Sequence, residues 1–167
     1  PRADAHLAIP CVVSDRLSPE GFHNMTQPSM RARLIFALDY PSLAEAKQAA
    51  AGLAKAVGVF KIGLELYVAH GSEAVLLGKD HDLPVFLDLK LHDIPATVGR
   101  AVARAAELGV RYLTVHACGG KAMLEAAVKA AQGAQAPLDI VAVTVLTSLD
   151  ATDLAAQGID SDTRTQA

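Results

Sequence analysis

From Arg33 onward, short apolar runs rich in β-branched and aromatic residues alternate with longer, Ala-rich amphipathic stretches, a pattern that predicts repeated βα units. Five runs read as strands: RLIFALD (33–39), VGVFKIG (57–63), PVFLDLK (84–90), RYLTVHA (111–117) and DIVAVTVL (139–146). Each is nearly continuously apolar, as expected where both faces of a parallel sheet are covered. Between them, Ser42 and Glu45 form a capping box opening SLAEAKQAAAGLAKAVG, with Gly58 as its stop. Pro95 marks the start of PATVGRAVARAAELG, which runs to Gly109, and GGKAMLEAAVKAAQG ends at Gly133. The stretch LELYVAHGSEAVLLGKDHD divides into two short helical pieces around Gly71.

Polar residues recur where these strands end, at Asp39, Lys61, Asp88, His116 and Thr144, spaced 22, 27, 28 and 28 residues apart. Such spacing suits one strand and one helix per unit, and eight units at this rate need roughly 210 residues, close to a minimal (β/α)8 TIM barrel. The expectation is therefore an α/β chain holding about the first five units of a barrel. An open doubly wound sheet is the alternative. Residues 34–167 form the incomplete barrel domain, and residues 1–33, without sustained periodicity, form an irregular extension. Met25 and Met30 stand shortly before the first strand, which suggests that the native start lies there.

Composition narrows the functional classes. The chain has 167 residues, 51% hydrophobic and 20% charged, with a net charge of −3, so it lacks the basic surplus of a nucleic-acid or anionic-membrane binder. A small-molecule or protein partner is expected. The two cysteines, Cys11 and Cys118, lie far apart and without metal-ligand spacing, which points to neither a disulfide framework nor a zinc site. No apolar run approaches the roughly 20 residues that span a bilayer, and no signal peptide is evident, so a cytoplasmic location is expected.

The stretch FLDLKLHDIPATVG (86–99) sets acid, base and acid into an otherwise apolar run. Residues two apart on a strand point the same way, so Asp88 and Lys90 share one side. Asp93 lies in the turn before Pro95. With Lys61 at the end of the preceding strand, these make an alternating Lys, Asp, Lys, Asp series. Alternation matters because neighbouring carboxylates raise each other's proton affinity, whereas intervening ammonium groups keep both ionised. A lysine beside a fixed negative charge suits a reaction that creates a carbanion or destroys a carboxylate. A salt-bridge network at the sheet rim is the competing explanation.

Other residues carry two readings each. Asp39 either caps the next helix or holds a substrate hydroxyl, and His116 is more simply a packed histidine than a catalyst. Thr147 and Ser148 either bind a ligand or cap the following helix, with capping the plainer reading. His92 is either a base or an orienting loop residue. Gly119 and Gly120 either admit an anion or form a plain βα turn. Lys79, Lys121 and Lys129 read as solvated charges.

The series LDY (38–40), FKIG (60–63), DLKLHDIPATV (88–98), TVHA (114–117) and VTVLTS (143–148) resembles the bacterial-type orotidine 5′-monophosphate decarboxylases, in the family's order from about Leu34 to Leu154. The resemblance implies a (β/α)8 barrel that forms a homodimer, uses neither metal nor organic cofactor, and converts orotidine 5′-monophosphate to uridine 5′-monophosphate in pyrimidine biosynthesis. It implies that Lys90 protonates C6, that Asp88 sits by the substrate carboxylate, and that Lys61 and Asp39 contact the ribose. Asp93, with Ile94 and Thr97, would reach the partner subunit's site, and Thr147 with Ser148 would contact the pyrimidine. Hexulose phosphate synthases and ketogulonate phosphate decarboxylases also carry DxKxxD, typically followed by Ala-Gly and paired with magnesium; Ile94-Pro95 here favours the orotidine enzyme. The family's Gly-Arg phosphate loop has no counterpart before Ala167. A C-terminally truncated chain is therefore expected, inactive by itself, with a non-catalytic half-barrel as a further alternative.

Overall fold

A computed structural model of the chain describes residues 30–167, and within them the alternation of apolar runs becomes a parallel sheet covered by helices. The strands are β1 (Ile35–Ala37), β2 (Val59–Gly63), β3 (Val85–Leu91), β4 (Tyr112–His116) and β5 (Asp139–Val143). The helices are α1 (Leu43–Leu53), α2 (Leu64–His70), α3 (Ser72–Asp80), α4 (Pro95–Glu107), α5 (Lys121–Gln132), α6 (Ala151–Ala156) and α7 (Thr163–Gln166). Cys11, Met25 and most of the expected extension lie outside the described residues. Met30–Arg33 form a short 3-10 turn held beneath the end of α1, where Arg31 donates from Nε to the Val57 carbonyl and from its guanidinium to the Ala54 carbonyl, both at 2.9 Å.

All strand pairs are parallel, and their spatial order β1-β2-β3-β4-β5 is the order of the sequence. That order decides between the two expected architectures. A doubly wound sheet reverses direction at a switch point, whereas a monotonic series of right-handed crossovers keeps every helix on one face, as in a barrel. The sheet is thus five strands of a singly wound barrel.

Alternate residues divide between the two faces. Leu38, Phe60, Ile62, Leu87, Leu113 and Val115 are fully buried against Leu66, Leu77, Val98, Val102 and Met123 of the helices. Each such side chain contributes about 1.5–3 kcal/mol by leaving water. The opposite positions, including Ala37, Lys61, Phe86, Tyr112 and Thr114, form the inner face, where the Phe86 and Tyr112 rings meet edge to face at 5.9 Å.

Local chemistry explains most element boundaries. Ser42 caps α1 by accepting from the Glu45 N–H at 3.3 Å, Pro95 occupies the first turn of α4, and Gly109 takes a φ of 76° just past its end. The helical pieces α2 and α3 meet at Gly71, as the pattern predicts. Helix α1, however, stops at Leu53, five residues before Gly58. Gly58 instead lets two backbones approach: a Cβ there would lie 2.6 Å from the Ala32 Cα and 2.7 Å from the Arg31 carbonyl oxygen. Its N–H meanwhile bonds to the Leu34 carbonyl at 2.9 Å and begins the β1–β2 ladder.

Gly78 in α3 is a similar close approach, since a Cβ would strike Val85 Cγ2 on β3 and lie 2.7 Å from the Leu83 carbonyl oxygen. Gly52, in α1, has nothing within 4 Å of that position. The same substitution should therefore act in opposite directions. Gly78→Ala is expected to lower stability by about 1–3 kcal/mol through overpacking, and Gly52→Ala to raise it by about 0.5–1 kcal/mol through helix propensity. Urea unfolding of the two variants measures this, and equal effects would contradict the packing described.

Candidate active site

The sheet brings together four charged side chains at the carboxyl ends of its first three strands. Lys61 Nζ lies 3.1 Å from Asp39 Oδ1 and 3.7 Å from Asp88 Oδ2, and Lys90 Nζ donates to Asp88 Oδ1 at 2.8 Å. The result is a continuous series Asp39, Lys61, Asp88, Lys90. Asp88 is the best-covered member, with its side chain 15% exposed against 59% for Asp39.

Sheet register produces this cluster. Gly63 pairs with Asp88 across β2 and β3, so the position level with the carboxylate has no side chain. A Cβ on Gly63 would lie 2.7 Å from Asp39 Oδ1 and 3.5 Å from Lys61 Nζ. The glycine of the KxG pair thus leaves the space in which Asp39 reaches Lys61. Asp39 does not cap the next helix, because Ser42 does.

Beyond Asp88, β3 departs from regular pairing. Leu87 pairs with Leu113 but Leu91 pairs with Val115, so four steps on β3 match two on β4 and the strand bulges. Lys90 sits in the bulge with a φ of 50°, the left-handed region that a side chain occupies at a cost of about 1–3 kcal/mol. Its N–H donates to Thr114 Oγ1 at 2.8 Å, and Thr114 Oγ1 is 3.0 Å from Asp88 Oδ1. Thr114 is only 2% exposed, and no residue of the sequence-predicted set occupies its place. Its signal in the sequence is faint: a short polar residue on the inward register of RYLTVHA, two positions before His116.

The electrostatics follow from these contacts. Burial works to raise the Asp88 pKa, but the hydrogen bond and charge of Lys90, the Thr114 hydroxyl and the Lys61 charge together hold it below the ordinary carboxylate value. His116, at the end of β4, is pushed down by burial and then by the charges of His92 and Lys90, which favours its neutral form. Its ring lies 5.4 Å from that of the exposed His92, tilted by 44°.

The remaining expected site residues stand apart from the cluster. Asp93 is exposed, and its Oδ1 accepts from the Ile94 N–H at 2.6 Å, so within one chain Asp39 rather than Asp93 ends the alternating series. Ile94, 64% exposed, precedes Pro95 at the start of α4, and Thr97 lies in its first turn with its N–H on the Ile94 carbonyl at 3.0 Å. Thr147 and Ser148 occupy an exposed turn after β5. They do not cap α6: Asp150 does, accepting from the Thr152 and Asp153 N–H groups, while Asp153 returns a bond to the Asp150 N–H. The capping reading of Thr147 and Ser148 is thereby corrected, since a better acceptor stands closer to the helix.

A singly wound parallel barrel sheet with a Lys-Asp-Lys cluster at the carboxyl ends of its strands is the framework of a (β/α)-barrel enzyme, whose chemistry sits at that end. Comparison with known proteins narrows the class. Residues 32–167 match the model of the Orotidine 5'-phosphate decarboxylase / HUMPS family, and the chain belongs to that family. It is 50% identical over 127 residues to the orotidine 5'-phosphate decarboxylase of Anaeromyxobacter sp. (strain K), covering 76% of this chain and 55% of that protein. With the enzyme of Pelobacter propionicus it shares 46% identity over 139 residues, covering 81% and 58% respectively. The crystal structure of orotidine 5'-phosphate decarboxylase from Lactobacillus acidophilus superposes with a TM-score of 0.70 at 30% identity, over 80% of this chain and 62% of that one. The chain thus spans somewhat more than half the length of the curated relatives it matches.

Asp88 also gives the site a measurable pH dependence. Because its folded-state pKa is depressed, its stabilising contribution is full above the unfolded pKa and is lost as pH falls through the folded one. Asp88→Asn should therefore be less stable than the wild type near neutrality, with the gap closing as pH falls below the ordinary aspartate value of about 3.9. Denaturant midpoints across this range provide the check, and a gap independent of pH would contradict the assignment.

Proposed function

We propose that the protein carrying this sequence decarboxylates orotidine 5′-monophosphate to uridine 5′-monophosphate, a cytoplasmic step of pyrimidine biosynthesis, with Lys90 as the proton donor. The observation that carries this reading is the Lys90 ammonium held 2.8 Å from the Asp88 carboxylate, with Lys61 on the other side. Loss of carbon dioxide breaks the bond from C6 to the carboxylate carbon and leaves the electron pair on C6. A preorganised cation beside that carbon stabilises the charge as it develops, and Lys90 Nζ then transfers a proton to it. Asp88, kept ionised by its two lysines, disfavours the substrate's own carboxylate until carbon dioxide leaves.

Family resemblance supports the remaining roles. Lys61 and Asp39 contact the ribose, Thr147 and Ser148 the pyrimidine, and Asp93, with Ile94 and Thr97, serves the site of a partner subunit in a homodimer. The exposure of Asp93 and Ile94 in the single chain is compatible with that placement. The matched family also takes in the hexulose phosphate branch. Ile94 and Pro95 after Asp93 favour the orotidine reading over that branch.

Removing the proton donor should be far more damaging than an ordinary surface change. Lys90→Ala in the complete barrel is expected to lower kcat by about 10³-fold or more, followed by the loss of orotidine 5′-monophosphate absorbance. A near-normal rate would overturn the assignment. In the same assay a polypeptide limited to these 167 residues is expected to show no turnover, because remote phosphate contacts supply much of the energy that organises such a site. Clear turnover would refute that expectation.

A further inference from the structure

We propose that Thr114 is a positioning residue for the Asp88–Lys90 pair, a single buried hydroxyl that fixes both the backbone of the lysine and the orientation of the carboxylate. The direction of its bonds follows from the groups around it. The Lys90 N–H can only donate, so at 2.8 Å Thr114 Oγ1 must accept. An ionised carboxylate can only accept, so at 3.0 Å the hydroxyl proton must point to Asp88 Oδ1. Neither bond leaves room for a reversed arrangement. The same Oδ1 receives Lys90 Nζ at 2.8 Å, which closes a ring through the lysine backbone, the hydroxyl, the carboxylate and the lysine side chain.

The position of the ring explains its use. In the bulge the Lys90 N–H has left the regular β3–β4 ladder, and the residue holds a φ of 50°. A strained lysine with an unpaired amide would relax toward ordinary strand geometry and swing its ammonium group away from Asp88. The Thr114 hydroxyl replaces the missing carbonyl and supports the strain. Because Thr114 is 2% exposed, water is a poor substitute there. Thr114 touches no reacting atom in this scheme; it acts through Asp88 and Lys90.

The test compares Thr114→Val, which keeps the shape and removes the hydroxyl, with Thr114→Ser, which keeps the hydroxyl, in the complete barrel. The kinetic arm rests on the decarboxylase reading above. Valine is expected to lower kcat by about 10–100-fold with KM changed by less than about 3-fold, and to move the acid limb of the pH–kcat profile to higher pH. Serine is expected to recover most of the rate and return the limb. Valine at the wild-type rate with an unmoved limb, or serine as impaired as valine, overturns the proposal. If the valine variant does not fold, Thr114→Ala takes its place, and alanine as active as serine overturns the proposal equally. A wild-type barrel without turnover would count against the decarboxylase reading alone, because a second measurement needs no substrate. Amide hydrogen exchange at Lys90 should be about 10-fold faster or more in the variant lacking the hydroxyl than in Thr114→Ser, with Leu113 and Val115 unchanged. Equal exchange at Lys90 in both overturns the positioning role whatever the reaction proves to be.

Discussion

A carboxylate that is mostly covered by protein stays ionised only where cations and hydrogen-bond donors outweigh the water it has lost. Asp88 meets that condition with Lys90 on one oxygen and Lys61 on the other. The rest of the site is arranged around this charge. Asp39 balances Lys61 from the more exposed end, so the cations do not repel one another without compensation. Thr114 adds a hydroxyl donor to Oδ1, the oxygen that Lys90 also holds. A reaction that turns a carboxylate into departing carbon dioxide and leaves its electron pair behind gains from such an arrangement because the charges are in place before the substrate arrives.

The fold supplies the distances. Monotonic parallel pairing sets β2, β3 and β4 side by side, so residues far apart in sequence end at one level. Regular strands alone would not suffice. The space beside Gly63 admits Asp39 to Lys61, and the bulge in β3 turns the Lys90 backbone toward Thr114. Both features give up something locally, a side chain in one case and a favourable φ in the other. The tightly packed outer face, with Phe60, Ile62, Leu87 and Leu113 beneath the helices, holds the strands that carry them.

Much of the architecture was legible from period and punctuation. Continuous apolar runs marked every strand, and the recurrence of polar residues at their ends pointed to a barrel. Sheet order, which separates a barrel from a doubly wound sheet, emerges only when strands pair. Spacing of two brought Asp88 and Lys90 together correctly. The order of charges also suggested Asp93, in the turn before Pro95, as the last member of the series; within one chain Asp39 ends that series and the Asp93 carboxylate accepts from the Ile94 N–H. Gly58 looked like a helix stop because glycine often ends helices; its contact is with Ala32, distant along the chain. Thr114 escaped notice because its importance comes from a bulge in another strand, and a single Thr among strand residues is ordinary.

The account depends on an Asp88 that is charged and held so by its neighbours. A carbon-13 NMR titration of the Asp88 carboxyl group in the folded protein measures that charge directly. The account predicts a midpoint below the ordinary aspartate value of about 3.9, rising when Lys90 is replaced by alanine. A midpoint at or above that value in the wild type would contradict it.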